Sequence, residues 1–152
     1  MNRRRQIELS ADEKAAFLEA ARTIILCTID REGYPHAVAM WFCVIDGMIH
    51  MTSFRKAQKV VNVRRNPKST LLVESGEAYT ELKGLMLRCE TEVIDDVELC
   101  LDVLVGVQAR HGGSIDASLR DALRSQAAKR CVLRFRPVRI SSWDHSKLGG
   151  AY

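Results

Sequence analysis

The sequence predicts a mainly β protein in which an antiparallel barrel or sheet has helices beside it. Three observations predict this class. The predicted strands follow one another as hairpins instead of alternating singly with helices, which disfavours a doubly wound parallel sheet. Asp46-Gly47, a strong two-residue hairpin signal, joins two apolar runs. No repeat, linker or low-complexity tract divides the chain, so we expect one domain over residues 1–152.

The first predicted element is a helix near the N-terminus. Ser10 followed by Glu13 matches the capping box, in which each side chain satisfies a free backbone N–H group at the helix start. Apolar residues then recur at helical spacing and give the helix one inward face; they are Phe17, Leu18 and Ala21.

Three strands follow this helix as a predicted meander, over residues 23–29, 36–45 and 48–52. The middle strand is almost wholly apolar, which indicates burial on both of its faces. Both central positions of a type I′ turn need positive φ, and Asp46 and Gly47 tolerate it. The second and third strands are therefore predicted to form a tight hairpin.

The second half of the chain adds three predicted helices and three predicted strands. In order, they are a helix near 56–65, strands over 69–74 and 79–94, helices over 97–108 and 114–123, and a strand over 131–141. Lys83-Gly84 is a candidate bulge or bend in the long strand. Pro137 cannot donate a ladder hydrogen bond, so the last strand is expected to lie at an edge or to be bulged there.

The composition is that of an ordinary soluble globular protein. Apolar residues make up 47% and charged residues 28%, which excludes a disordered chain, a collagen and a coiled coil. No uncharged apolar run approaches the ~18 residues that a membrane span needs, so we expect no membrane partner. The N-terminus lacks the apolar segment of a secretory signal, so we expect a cytoplasmic protein.

Several familiar sites are missing from the sequence. The five cysteines form no Cys-x-x-Cys pair and lie mostly among apolar residues, so we expect reduced, buried thiols. The four histidines show no ligand spacing, and we expect no metal site. The glycine motifs of a Rossmann nucleotide site, a P-loop and a serine-hydrolase elbow are absent.

A predicted strand-to-helix junction is the most suggestive segment. Thr52 and Ser53 end a strand, and Arg55, Lys56 and Lys59 are expected at the start of the following helix. A helix N-terminus offers unpaired N–H groups and a positive dipole end, which bind phosphate. Basic residues there oppose the dipole, so a bound anion would explain them. A solvated basic helix face remains the alternative.

The net charge of +4 permits an anionic partner without requiring one. Residues 55–68 carry six basic side chains and no acid, but Asn66-Pro67 ends the helix and no aromatic residues interleave with the basic ones. We therefore expect no nucleic-acid partner. Trp41 and Trp143 are each interpreted as core or interface residues, with a ligand platform as the alternative.

Several segments together resemble the pyridoxamine-phosphate-oxidase-like split β-barrel superfamily, and within it the deazaflavin (F420)-dependent reductases. The segments are Gly33-Tyr34-Pro35, Ala39-Met40-Trp41-Phe42, Ile45-Asp46-Gly47, the Lys-x-x-Asn-x-Arg-Arg-Asn-Pro pattern over 59–67, and the Trp-Asp-His-x-Lys-Leu ending over 143–148. The resemblance covers about residues 21–149. It implies a six-stranded antiparallel split barrel that forms a homodimer, with cofactors in clefts between the subunits. The expected parts are an N-terminal helix in 1–20, the barrel with inserted helices in 21–142 and a tail in 143–152.

The resemblance also implies the cofactor-binding residues. A phosphate site is expected at Thr52, Ser53, Arg55, Lys56 and Lys59. The backbone of a strand is expected to pass the cofactor ring; its residues are Val38, Ala39, Met40 and Trp41. FMN-binding oxidases often carry an arginine at the position of Gln58, so this residue disfavours FMN. Trp143 is expected to come from the partner subunit.

The function that the resemblance implies is hydride transfer between F420 and a small organic substrate. The alternatives are an FMN-binding oxidoreductase and a protein that binds a flavin, F420 or haem without turnover. The cofactor carries hydride chemistry itself, so no catalytic residue is assigned.

Overall fold

A computed structural model describes residues 3–149 and shows one seven-stranded antiparallel sheet flanked by helices, which confirms the mainly β class. The α-helices are α1 (Arg3–Gln6), α2 (Ala11–Ala20), α3 (Gln58–Arg65), α4 (Val97–Arg110) and α5 (Leu119–Ala127). The strands are β1 (Ile24–Ile29), β2 (Pro35–Met40), β3 (Cys43–Ile45), β4 (Met48–Phe54), β5 (Lys68–Ser75), β6 (Lys83–Ile94) and β7 (Arg130–Asp144). Short 3-10 turns cover Tyr79–Glu81 and His145–Leu148.

The strand order shows how the sheet curls. It reads β2-β1-β5-β6-β7-β4-β3, so the two edge strands are β2 and β3. These edges are consecutive in the chain and are joined only by Trp41 and Phe42. The three peptide units from Met40 to Cys43 span at most about 10 Å, so the sheet must curl until its edges come close together. The result is an antiparallel half-barrel.

The prediction of a single strand over 36–45 is wrong. β2 pairs with β1 and β3 pairs with β4, at opposite edges of the sheet. The chain breaks its ladder at Trp41 and Phe42 to pass from one edge to the other. The expected burial on both faces is also wrong, because only Phe42 and Cys43 of this run are buried. With this break, the described residues form seven strands where six were expected.

The local turn and cap predictions are confirmed. Ser10 Oγ accepts a hydrogen bond from the Glu13 N–H group at 3.2 Å, and the Glu13 carboxylate accepts one from the Ser10 N–H group at 2.6 Å. Asp46 and Gly47 both adopt positive φ, at 51° and 74°. β3 and β4 therefore form the expected hairpin.

The irregularity in the longest strand pair lies beside Pro137 and not at Lys83-Gly84. β6 and β7 change register between Arg88 and Cys89, where Cys89 pairs with Pro137. β7 is bulged at this point although it is a central strand, between β6 and β4. Gly84 serves a different purpose, because its missing side chain leaves room for the ring of Trp143 on the paired strand.

Two hydrophobic clusters hold the fold together. The main cluster fills the curl of the sheet, and its largest buried side chains include Phe42, Met51 and Phe135. A second cluster packs α4 and α5 against the strands; it contains Cys43, Cys100, Leu101, Val103, Ala127 and Val132. Burial of this apolar surface seats the two helices beside β4 and β7. No helix within residues 3–149 is long and apolar enough to cross a membrane.

The cysteines are free thiols. Four of them are buried and Cys27 is half-buried. Burial raises the pKa of Cys43 and of Cys89 to about 11, so both are protonated at neutral pH. These thiols pack as small apolar side chains.

Candidate functional site

A cavity of about 380 Å³ lies between the sheet and the α4–α5 pair. Its sheet side is lined by Ala39, Met40, Trp41, Thr52 and Arg130. Its helix side is lined by Leu104, Val107, Gln108, Leu123 and Gln126. The fold thus brings the end of β2 and the end of β4, which the sequence suggested as parts of one site, to the same cavity.

The junction after β4 differs in one respect from the expected geometry. β4 ends at Phe54 and α3 begins at Gln58, so Arg55 and Lys56 lie in the intervening turn and not in the helix. The Ala57 N-cap makes no side-chain capping hydrogen bond. Lys59 is therefore the basic residue that lies in the first turn of α3.

Two pairs of a hydroxyl and a cation lie near the end of β4, on opposite faces of the strand because Thr52 and Ser53 are consecutive. Lys59 Nζ donates to Ser53 Oγ at 3.5 Å, and Arg130 Nη1 donates to Thr52 Oγ1 at the same distance. Ser53 and Thr52 are both buried. Burial, with the nearby Arg130 charge, lowers the pKa of Lys59. The group is therefore a partly desolvated, positively charged site.

Arg130 is the residue of this group that the sequence interpretation missed. It opens β7 and pairs with Phe54 in the ladder, where its guanidinium lies 4.3 Å from the Phe54 ring centroid. Its Nε is buried and has no hydrogen-bond partner within residues 3–149. The available signal is a basic residue directly before the apolar run 131–133. That signal becomes informative only once β7 is known to pair with β4.

Arg55 forms its hydrogen bonds away from the two hydroxyls. Its Nε donates to Asp95 Oδ1 at 3.0 Å and its Nη1 to the Ala128 carbonyl at 2.6 Å. Arg64 binds the other oxygen of Asp95 at 2.8 Å. Arg64 and Arg55 together lower the pKa of the Asp95 carboxyl. The structure therefore does not bring Arg55 to the two hydroxyls.

Gln58 bonds to Asn62, the residue that holds α3 against the sheet. Its Nε2 donates to Asn62 Oδ1 at 2.8 Å, and Asn62 Nδ2 donates to Thr28 Oγ1 on β1 at 3.0 Å. Asn62 and Thr28 are fully buried. The amide of Gln58 thus points along the helix, while Lys56 is exposed in the turn before it.

The four residues expected to run past a cofactor ring divide between the two faces of β2. The side chains of Val38 and Met40 pack against the main core, and Ala39 is exposed. Trp41 is 56% exposed and lines the cavity beyond the strand end. Three of the four residues, Ala39 to Trp41, line the cavity itself.

The end of α4 fixes the position of Trp41. The His111 ring stacks on Trp41 at a centroid distance of 4.0 Å. The neighbouring Arg110 guanidinium lies 4.4 Å from the Phe42 ring centroid and donates hydrogen bonds to carbonyl groups of 18–21, in and just after α2. The 41–42 crossover is therefore held between α2 and α4.

Trp143 lies far from this cavity within its own chain. Twelve residues of β7 lie between it and Arg130, which is roughly 40 Å of strand length. Its ring lies over Gly84 on β6, and it does not line the cavity. The structure therefore does not bring Trp143 to Thr52 and Arg130 within one chain.

Together, the curled sheet and this junction define a split-barrel protein with cationic side chains at the end of β4 and a cavity beside it. The sequence pattern of the family described as pyridoxamine 5'-phosphate oxidase matches residues 10–144. The chain belongs to this family.

Solved structures with the same fold include proteins of different description. A conserved hypothetical protein of Mycobacterium tuberculosis, Rv2991, is 36% identical with a TM-score of 0.90, over 97% of this chain and 92% of that one. An F420 reductase is 23% identical with a TM-score of 0.65, over 83% and 94%. The haem storage protein HutZ of Vibrio cholerae is 19% identical with a TM-score of 0.69, over 90% and 97%. No curated protein matches the sequence.

The residues at the end of β4 fit a phosphate-bearing cofactor. The cavity lining contains no carboxylate, and Arg130 in the lining and Lys59 in α3 each make only a long hydrogen bond to a hydroxyl. Hydroxyl, ammonium and guanidinium groups are the donors that phosphate oxygens accept. In the described part of the chain, no cluster of His, Cys, Asp and Glu is arranged to hold a metal ion.

Proposed function

We propose that this protein is an F420-dependent oxidoreductase that transfers a hydride between the deazaflavin and a small organic substrate. The observation that carries the proposal is the Thr52–Arg130 pair in the cavity lining, with the Ser53–Lys59 pair at the same end of β4. Membership of the pyridoxamine 5'-phosphate oxidase family and a fold shared with an F420 reductase support a redox cofactor at this place.

Each part of the site has a defined task in this proposal. Lys59 and the hydroxyls of Thr52 and Ser53 hold the phosphate, and the backbone of 38–41 runs beside the ring. Bound F420 supplies the hydride chemistry, while the protein supplies orientation and electrostatics. We therefore assign no general acid or base to cofactor reduction.

The α4–α5 wall faces the substrate side of the cavity in this proposal. Its lining consists of three aliphatic side chains and two amides, with no charge. Such a wall excludes water and favours the uncharged part of a ligand. Gln108 and Gln126 supply the hydrogen-bonding groups on this side.

We also propose that the protein is a homodimer whose cleft is completed by Trp143 of a second copy. The support is the length of β7 between Arg130 and Trp143 within one chain. A two-fold interface is self-complementary, so each subunit would give one Trp143 and receive one. Light scattering at micromolar concentration measures the expected mass of two chains.

FMN is the second candidate cofactor, because it also carries a phosphate. Gln58, whose amide binds Asn62, stands where FMN oxidases often have an arginine, and this favours F420. A basic cleft also suits the added carboxylates of the F420 polyglutamate tail. The remaining alternative is a protein that binds a flavin, F420 or haem without turnover, and the haem storage protein HutZ shares the fold.

A titration of the purified protein with F420 and with FMN, followed by tryptophan fluorescence, tests the cofactor. The chain has two tryptophans, and Trp41 lines the cavity, so the wild type carries an indole reporter at the proposed site. Tight F420 binding with weak FMN binding is expected. The reverse preference identifies an FMN protein, and binding of neither cofactor contradicts the proposal.

A turnover assay distinguishes an oxidoreductase from a protein that only carries the cofactor. Reduced F420 is mixed with the protein and a panel of uncharged organic acceptors, and oxidation of the cofactor is followed by absorbance. Catalysed oxidation above the rate without protein supports the oxidoreductase. Tight cofactor binding with no acceleration by any acceptor supports the carrier.

A further inference from the structure

We propose that Arg130 completes the phosphate site from β7 and supplies the second positive charge, which residue 58 does not provide. This inference rests on the proposed function, because it adds a residue to the same cofactor site. Together, Lys59 and Arg130 would take an anionic group that carries two negative charges close together.

The first argument is that Arg130 has no acidic partner where its neighbours have one. Arg134 and Arg136, the next two arginines of β7, each pair with a glutamate of β6. Within residues 3–149, the salt bridges include none to Arg130 or Lys59. Two partly buried cations without a carboxylate repel each other, and a bound anion relieves that repulsion.

The second argument is that donors of Arg130 lack strong hydrogen bonds within the described residues. A guanidinium has five N–H donors in one plane. Nε is buried without a partner, and Nη1 makes only the 3.5 Å contact with Thr52. The Phe54 ring supports the plane of the guanidinium from one side. Arg130 is thus held in one orientation with unused donors, as recognition of a planar pair of phosphate oxygens requires.

The third argument is that α3 offers only one cation here. Gln58 binds Asn62, and Arg55 binds Asp95 and the Ala128 carbonyl. Arg55 also ties this turn to residue 128, two positions before Arg130. The start of β7 is therefore fixed against the junction, and Arg130 lies opposite Phe54 in the ladder.

Two cations match two negative charges, and both candidate cofactors can provide them. FMN has a phosphate monoester that is doubly charged above pH ~6. F420 has a phosphate and the carboxylates of its tail. The shared chemistry is a phosphate with a second negative charge nearby, and the two cofactors are tested separately.

The test compares Arg130→Met with Arg136→Met, which removes the same charge from an exposed position farther along β7. Dissociation constants are measured for F420, FMN and riboflavin, which lacks the phosphate. Arg130→Met is expected to weaken F420 or FMN by tenfold or more, while riboflavin changes by less than twofold. Arg136→Met is expected to leave all three unchanged. Arg130→Lys is expected to recover part of the lost affinity.

Two results would overturn the assignment. One is unchanged affinity of Arg130→Met for the phosphate-bearing cofactors. The other is an equal loss for FMN and riboflavin, which would mean that Arg130 shapes the cavity and does not bind phosphate. Circular dichroism of both methionine variants checks that they are folded, and Arg130→Lys provides a second folded variant.

Inorganic phosphate separates this inference from the proposed function. At constant ionic strength, phosphate is expected to raise the melting temperature of the wild type more than that of Arg130→Met. If no cofactor binds the wild type but this difference is found, the phosphate subsite is correct and the cofactor is wrong. If phosphate also fails to distinguish the two proteins, the inference about Arg130 is overturned as well.

Discussion

Lys59 Nζ donates to Ser53 Oγ across 3.5 Å and thereby joins the first turn of α3 to the end of β4. The lysine is half-buried and the serine is buried. Burial holds the pKa of Lys59 below its ordinary value, and the Arg130 charge lowers it further. The contact therefore holds an ammonium group whose charged form a nearby anion would stabilise.

Replacing Lys59 by alanine should weaken the phosphate-bearing cofactor and leave the fold intact. A hydrogen bond to a charged group contributes about 1.5–3 kcal/mol, so the dissociation constant should rise about tenfold to a hundredfold. Fluorescence titration measures the affinity, and thermal unfolding measures the fold. Lys68→Ala, an exposed lysine on β5, is the matched control. An unchanged affinity in Lys59→Ala would move the phosphate to another place.

Cofactor affinity should fall as the pH rises through the pKa of Lys59. The lowered pKa means that the free protein loses this proton at a pH below the ordinary lysine range. A bound phosphate favours the charged lysine, so binding is strongest below that pKa and takes up a proton above it. Affinity measured at several pH values above 7 should fall for the wild type. The uncharged Lys59→Met should bind weakly with a flatter profile, and an equally steep profile would assign the titration to another group.

The pH dependence of stability should have the opposite sign. The unfolded chain holds the Lys59 proton at its ordinary pKa, whereas the folded protein releases it at a lower pH. Between these two pKa values the unfolded state binds more protons, so the contribution of Lys59 to stability increases with pH. Chemical unfolding across this window should show that the wild type gains stability relative to Lys59→Met as the pH rises. A pH-independent difference would contradict the perturbed pKa.

Sequence reasoning predicted the parts of this fold that depend on local chemistry. The Ser10–Glu13 capping box and the positive φ at Asp46-Gly47 involve residues within four positions of each other, so their signals are complete in a short segment. The bulge beside Pro137 is similar, because proline cannot donate to any ladder.

The missed features depend on contacts between distant segments. The apolar run over 36–45 gives no sign that Trp41 and Phe42 leave one sheet edge and reach the other. Arg130 joins the site because β7 pairs with β4 across about 80 positions of the chain. The start of α3 was also missed. Arg55 lies in the turn before the helix, where it binds Asp95 and the Ala128 carbonyl. Such pairings follow from the whole packing and not from local spacing.

Breaking the Gln58–Asn62–Thr28 chain should loosen α3 and the cofactor site with it. Asn62→Leu keeps the side-chain size but leaves the buried Thr28 hydroxyl without this partner, which destabilises the protein by about 1–3 kcal/mol. Gln58→Ala removes only the outer hydrogen bond and should have a smaller effect. Urea unfolding measures both variants. Equal effects would mean that the buried bond to Thr28 is not the anchor.

A side chain at Gly84 should disturb Trp143. A Cβ atom there would overlap the Trp143 ring, so Gly84→Ala must displace the ring or the strand. Overpacking of this kind destabilises by about 1–3 kcal/mol. Gly84→Ala should therefore cost less stability in the Trp143→Ala background than it does in the wild type. If the two substitutions are simply additive in thermal unfolding, the close approach does not determine stability here.

Mixing two inactive variants tests whether a second copy supplies Trp143. In a homodimer with a shared cleft, the Lys59→Ala and Trp143→Ala variants each damage both sites. A mixed dimer joins the intact Lys59 of one chain with the intact Trp143 of the other at one of its two sites. Random exchange of equal amounts makes about half of the dimers mixed. One of the two sites in each mixed dimer is intact, so about one quarter of all sites should bind with wild-type affinity. Titration after co-refolding measures this fraction. If Trp143 acts within its own chain, the mixed dimers gain no intact site and no high-affinity binding returns.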